Sequence, residues 1–191
     1  MNIAIYSGSF NPIHNGHLQL AGYLTDNQLA DEVWFVVSPC NPLKEQPTLI
    51  DEYLRLDMVI LSISGNDKFK ASDVEFTMPI PSYTIDTLHR LSELFPEHRF
   101  SLVIGSDNAL VFDQWKNPEQ ILNEYDVFVY PRNGYDFQLV AAKYPKMQLL
   151  DTPIYEISST EIRGMIRENK ATGPWLHPMV AAYIKENNLY I

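Results

Sequence analysis

The stretch SGSFNPIHNGH, from Ser7 to His17, concentrates chemically useful residues near the start of the chain. Ser7, Gly8 and Ser9 are small enough to let backbone approach a ligand closely. Pro12 fixes part of the turn. His14 and His17 lie three apart where a helix should begin, so they can share one face. A helix N-terminus offers free N–H groups and a partial positive charge. Together these features suit phosphate oxygens, with two imidazoles beside them. Two other readings fit the same residues. One is a structural turn with two capping histidines. The other is a metal site, for which no third ligand sits nearby in the sequence.

A second group is EISSTEIRGMIR, Glu156 to Arg167. Ser158 followed three residues later by Glu161 matches a capping box, and Ile157 with Ile162 is placed as the hydrophobic staple around it. A helix is therefore expected to start at 159. The cap accounts for Ser158 and Glu161. It does not account for three hydroxyls (Ser158, Ser159 and Thr160) with Arg163 one turn on, which suit a second phosphate cradle. Lys44 and Arg132 stand at strand ends, where a cation is either solvated or turned to a ligand. Trp115 follows Asp107 in what reads as a polar loop, able to pack as a lid or to stack on a heteroaromatic ring. Cys40 has no histidine or acid close in sequence and reads as inert.

These residues need elements to position them. Residues 2–6, 33–37, 100–104 and 126–130 are short β-rich runs, apolar on both faces as in a buried parallel sheet. Weaker strands are expected over 72–77 and 147–150. Helices are expected over 16–29, 51–63, 84–95 and 136–143. Leu54, Met58 and Leu61 fall at helical spacing, as do Ile85, Leu88, Leu91 and Leu94. Alternation of strand and helix indicates a doubly wound α/β sheet. From 159 onward the chain reads as helical. Polar clusters follow the strands at Ser7–His17, 38–44, 105–107 and 131–134. In such sheets ligands bind beyond the carboxyl ends of the strands, so four clusters would converge on one crevice.

A chain of 191 residues is expected to form one domain with a proper core. One cysteine excludes an internal disulfide and fits a reducing cytoplasm, and no signal peptide opens the chain. The net charge of −10 argues against a generally basic surface for nucleic acid, and no apolar run is long enough for a membrane span. A polyanionic small molecule remains suitable, provided that the few cations are gathered at a pocket.

The GSFNPIHNGH stretch resembles the G-x-F-x-P-x-H-x-G-H signature of the nucleotidyltransferase superfamily, and ISSTEIR resembles its second signature. Further stretches are similar to the bacterial nicotinate mononucleotide adenylyltransferases: SPCNPLK (38–44), SYTIDTL (82–88), GSDN (105–108), Trp115, PRNG (131–134) and LHPMVAAYIKENNLY (176–190). The resemblance spans almost the whole chain. The commoner opening carries a glycine, a threonine and an aspartate where this chain has Ser7, Ser9 and Asn11. The resemblance implies a Rossmann-like fold and transfer of an adenylyl group from ATP to nicotinate mononucleotide, with Mg2+ accompanying ATP and no metal ligands from the protein. It also implies His14, His17 and Arg163 as catalytic residues. Ser7, Gly8, Ser9, Phe10, Gly16, Lys44, Ser158, Ser159 and Thr160 would bind ATP and its phosphates. Thr84, Gly105, Asp107, Trp115 and Arg132 would bind the nucleotide and pyridine portions. Rival readings are a nicotinamide mononucleotide or phosphopantetheine adenylyltransferase and a non-catalytic nucleotide sensor on the same fold. The oligomeric state is open in the sequence.

Overall fold

The computed structural model describes residues 1–39 and 48–191. The strands are β1 (Asn2–Gly8), β2 (Glu32–Val37), β3 (Phe69–Ser72), β4 (Arg99–Gly105), β5 (Asp126–Tyr130) and β6 (Gln148–Leu149). They form one parallel sheet in the order β3-β2-β1-β4-β5-β6. The chain winds outward from β1 in one direction and then, from β4, in the other. The switch point lies between β1 and β4.

The helices are α1 (Asn15–Asp26), α2 (Glu52–Ile63), α3 (Thr84–Leu94), α4 (Ser106–Leu110), α5 (Pro118–Glu124), α6 (Phe137–Lys143), α7 (Ser159–Arg167) and α8 (Pro178–Glu186). Alternate residues of one strand serve two cores, because strand side chains alternate between the faces of the sheet. Ala4, Val33 and Phe35 pack with Leu20 and Leu24 of α1, Met58 of α2 and Val180 of α8. Ile3, Ile5 and Val36 pack with Ile85 and Leu88 of α3 and Ile121 of α5. Both faces are covered, which explains why these strands read as continuous apolar runs.

Several expectations need correction. No strand forms over 72–77: β3 ends at Ser72, and Val74–Thr77 make a 3-10 turn. Val74 packs on one core and Phe76 on the other, so the alternation is burial to two sides without a ladder. Ser106 and Asp107 open α4 rather than a loop, and α5 was not anticipated. The buried face of α2 is Arg55, Met58, Val59, Ser62 and Ile63, rotated from the Leu54-Met58-Leu61 stripe. Leu94, the last residue of α3, is exposed.

Candidate active site

The crevice opens where β1 and β4 part, at the carboxyl ends of the strands. It has two lobes that share Tyr6, Ser7, Gly8, Ser9, Asn108 and Tyr130. Thr84, Gly105 and Trp115 line the first lobe. The second is larger and is lined by both histidines, Ser158, Ser159, Thr160 and Arg163. Phe10, Gly16, Asp107 and Arg132 also line the second lobe. Thus Asp107 and Arg132 lie with the expected phosphate residues, apart from Thr84 and Trp115. Lys44 and Cys40 fall outside the described residues.

His14 is the N-cap of α1, with extended backbone at φ −145° and ψ 170°. Its N–H donates to His17 Nδ1 at 3.1 Å. The two rings stack with centroids 3.7 Å apart and planes 30° from parallel. Because His17 Nδ1 accepts, the proton of the neutral ring must sit on Nε2. Burial lowers the pKa of His14 to about 3, and the nearby Arg132 charge pushes the same way. Burial likewise holds His17 well below its usual value, helped by His14 and then Arg132. Both are therefore neutral N–H donors at neutral pH. The capping reading is also realised, since His17 closes the helix start. Gly16 lies close beneath the stack: a Cβ there would come to 3.1 Å from the His14 ring and 3.3 Å from Tyr155 Cβ, so these neighbours would have to give by a few tenths of an ångström.

The turn before the histidines is wedged in place. Phe10 has φ 45°, a left-handed conformation that costs a bulky residue energy and that only surrounding contacts can maintain. Its ring supplies them: it meets Tyr6, His17 and Phe35 edge-on, at 5.7, 5.2 and 5.6 Å between centroids.

The α7 capping box forms as its sequence demands. Ser158 N–H and Oγ donate to Glu161 Oε2 at 2.8 and 2.6 Å, and Ser158 Oγ accepts from Glu161 N–H at 3.2 Å. Ile157 and Ile162 pack in one core. Ser159 Oγ donates to the Pro12 carbonyl at 2.9 Å, and Arg163 Nη1 to the Asn11 carbonyl at 2.8 Å. Arg163 Nη2 donates to Thr160 Oγ1 at 3.2 Å. The start of α7 is thereby locked onto the histidine turn. Tyr190 adds a third tie, its hydroxyl donating to Asn11 Oδ1 at 2.8 Å.

On the β4–β5 side, Asp107 Oδ2 lies 3.7 Å from Arg132 Nε. The Arg132 N–H donates to Ser106 Oγ at 2.9 Å. A Cβ at Gly105 would press on Asp107 Oδ1 and Arg132 Cδ, so glycine there lets these two side chains lie where they do. Among the described residues, five buried side-chain polar atoms lack a hydrogen-bond partner: His98 Nδ1, away from the crevice, and four others, His14 Nδ1, Asp107 Oδ1, Trp115 Nε1 and Arg163 Nε. All four residues line the crevice. Buried polar atoms are normally satisfied, so this cluster of free valences indicates a ligand site.

Two residues that sequence reading passed over organise the site. Arg55 of α2 is fully buried. Its guanidinium donates to the carbonyls of Ser9 and Ser38 at 2.7 Å each, of Ile50 at 2.9 Å and of Pro39 at 3.2 Å. It ties the loop after β1 to the loop after β2. Glu75, also buried, accepts from Ser7 Oγ, Ser82 Oγ and Thr87 Oγ1 under the first lobe. The Ser7 hydroxyl thus donates to a carboxylate.

A doubly wound sheet with a phosphate-suited crevice at its switch point defines a nucleotide-handling protein. The profile of the cytidylyltransferase-like family matches residues 5–165. The probable nicotinate-nucleotide adenylyltransferase of Flavobacterium johnsoniae is 46% identical over 100% of this chain and 99% of its own. That of Bacteroides fragilis is 49% identical over 92% of this chain and 87% of its own. The structure of Plasmodium falciparum nicotinic acid mononucleotide adenylyltransferase complexed with NaAD superposes with a TM-score of 0.83 at 26% identity, covering 99% of this chain and 97% of that one. The chain belongs to the cytidylyltransferase-like family and, within it, to the nicotinate-nucleotide adenylyltransferases, enzymes of NAD biosynthesis. No helix among the described residues is long and apolar enough to cross a membrane.

Proposed function

We propose that the crevice joins ATP to nicotinate mononucleotide, releasing pyrophosphate and nicotinate adenine dinucleotide, with the triphosphate in the second lobe and the pyridine in the first. The observation that carries this reading is the set of unpartnered polar atoms: His14 and Arg163 in one lobe and Trp115 in the other. The attacking phosphate monoester has a second pKa near ~6, so at neutral pH it is already a nucleophile. No general base or covalent intermediate is required. The protein's work is to align two anions and to stabilise the charge that develops on the leaving pyrophosphate.

The neutral histidines suit that work. Their imidazoles are fixed by stacking, and His17 is held in one tautomer, so its Nε2–H meets the developing charge without reorganisation. Arg163 and the start of α7 line the same lobe, whereas the first N–H groups of α1 already donate within the protein, Asn15 to the Trp175 carbonyl at 2.8 Å and His17 to the His14 carbonyl at 2.9 Å. Asp107 Oδ1 is placed to accept a nucleotide hydroxyl. In the first lobe the N-terminus of α3, at Tyr83 and Thr84, has no side-chain cap and offers N–H groups to the ring carboxylate.

Among the described residues no group of three or more His, Cys, Asp or Glu could hold an ion, and magnesium carried on substrate phosphates needs no such group. The ion would arrive with ATP as part of the substrate. No nucleic-acid or membrane partner is part of this reading; a cytoplasmic enzyme is.

The test is incubation with ATP and either nicotinate or nicotinamide mononucleotide, with detection of pyrophosphate and dinucleotide. Product from nicotinate mononucleotide at higher kcat/KM is expected, because N–H donors aimed at a carboxylate meet a poorer acceptor in a neutral amide. Equal or reversed efficiencies overturn the nicotinate preference. Absence of product with both overturns the reaction.

A further inference from the structure

Adenylyl transfer as derived above makes no use of Glu75. Its side chain is 3% exposed, yet it lines the first lobe. Oε1 accepts from Thr87 Oγ1 at 2.9 Å and Ser7 Oγ at 3.4 Å, and Oε2 accepts from Ser82 Oγ at 2.6 Å. The last distance is that of a charge-assisted O–H···O bond. Among the described residues no Lys, Arg or His forms an ion pair with it, and Lys116, the lysine of the same lobe, is engaged by Asp86 at 2.7 Å. A buried carboxylate without a cation is costly, and three hydroxyls offset only part of the cost.

A scaffold alone would not need the charge. Glutamine has the same shape and can bond the same hydroxyls. A carboxylate does something different to the lobe. It takes the protons of Ser7 and Ser82, so these hydroxyls have only lone pairs to offer a ligand. The lobe floor then accepts hydrogen bonds and carries negative potential. On the reading above, which this inference rests on, the occupant is an N-alkylated pyridine whose ring is a cation.

We propose that Glu75 is a specificity-determining residue, the counter-charge through which the first lobe selects the cationic pyridinium ring. With the N-terminus of α3 facing the ring carboxylate, the lobe would match a zwitterion at both ends.

The experiment compares nicotinate mononucleotide with its 1,4-dihydro form, which keeps the carboxylate, ribose and phosphate but has a neutral ring. Wild-type enzyme is expected to favour the pyridinium in kcat/KM on the order of 10- to 100-fold, the range for a unit charge pair a few ångströms apart in a partly shielded site. Glu75→Gln should raise KM for the pyridinium substrate, leave the dihydro substrate nearly unchanged, and so collapse the ratio. Ser82→Ala removes the shortest hydrogen bond but keeps the charge, and should preserve the ratio. Equal losses for both substrates in Glu75→Gln would reduce Glu75 to a scaffold and overturn the proposal. If Glu75→Gln does not fold, the wild-type ratio still decides, since a value near one overturns the counter-charge. A wild-type enzyme that turns over neither mononucleotide defeats the adenylyl-transfer reading itself, a result distinct from either.

Discussion

His14 and His17 form a stacked pair tied by one hydrogen bond, the rings 3.7 Å apart and the His14 N–H donating to His17 Nδ1 at 3.1 Å. The arrangement disfavours a charge on either ring, because a proton there meets a dehydrated surround and Arg132, and for His17 also its neighbour His14. It makes the histidines donors of fixed direction rather than cations.

One consequence is acid sensitivity. Unfolded histidine takes a proton below pH ~6.5, whereas folded His14 does not until pH is near 3. Between these values the unfolded chain binds more protons, so stability rises with pH and is lost as pH falls. The slope from His14 alone is at most about 1.4 kcal/mol per pH unit. Urea melts from pH 7 to pH 5 should show a steeper loss for wild type than for the His14→Asn, His17→Asn double variant. Parallel slopes would mean that the rings are charged or hydrated in the fold.

Arg163 links helix α7 to the histidine turn, and its Nε has no hydrogen-bond partner. Arg163→Ala should weaken ATP use by roughly 1.5–3 kcal/mol, about 10- to 150-fold in kcat/KM for ATP. The α7 capping box persists without it, so the variant should still fold. Unchanged ATP kinetics in the folded variant would mean that the second cradle is misplaced.

Arg55 should matter to stability rather than to chemistry. Arg55→Met leaves four loop carbonyls without their donor and should destabilise the fold by about 3 kcal/mol or more. In a chain of this size that lowers Tm by roughly 6–12 °C. Arg55→Lys should recover little, since an ammonium cannot reproduce the planar fork. A Tm within about 2 °C of wild type in the Met variant would show that the carbonyls find other partners.

Much of the site was legible because local rules set it. The capping box at Ser158 and Glu161 is contained within four residues, and strands buried on both faces leave unbroken apolar runs such as 33–37. The misses share a cause, tertiary burial of polar residues. Arg55 lies between Leu54 and Leu56 and reads as solvent-facing, because nothing local says that two loops will bring carbonyls to it. Glu75 sits in an alternating run whose pattern imitates a strand. Tyr190 meets Asn11 across 179 positions, a contact that no short window contains. The short helices α4 and α5 lack a full apolar period, although Pro118 at the start of α5 is a usable signal.

The most direct test of the central claim is the turnover of His17→Ala at saturating ATP and nicotinate mononucleotide, measured as pyrophosphate release alongside a melting curve. Loss of one preorganised donor to the developing charge requires kcat to fall on the order of 100-fold or more, with a smaller change in KM for ATP. A folded His17→Ala enzyme that releases pyrophosphate at the wild-type rate would contradict the account and leave the histidine pair as a helix cap alone.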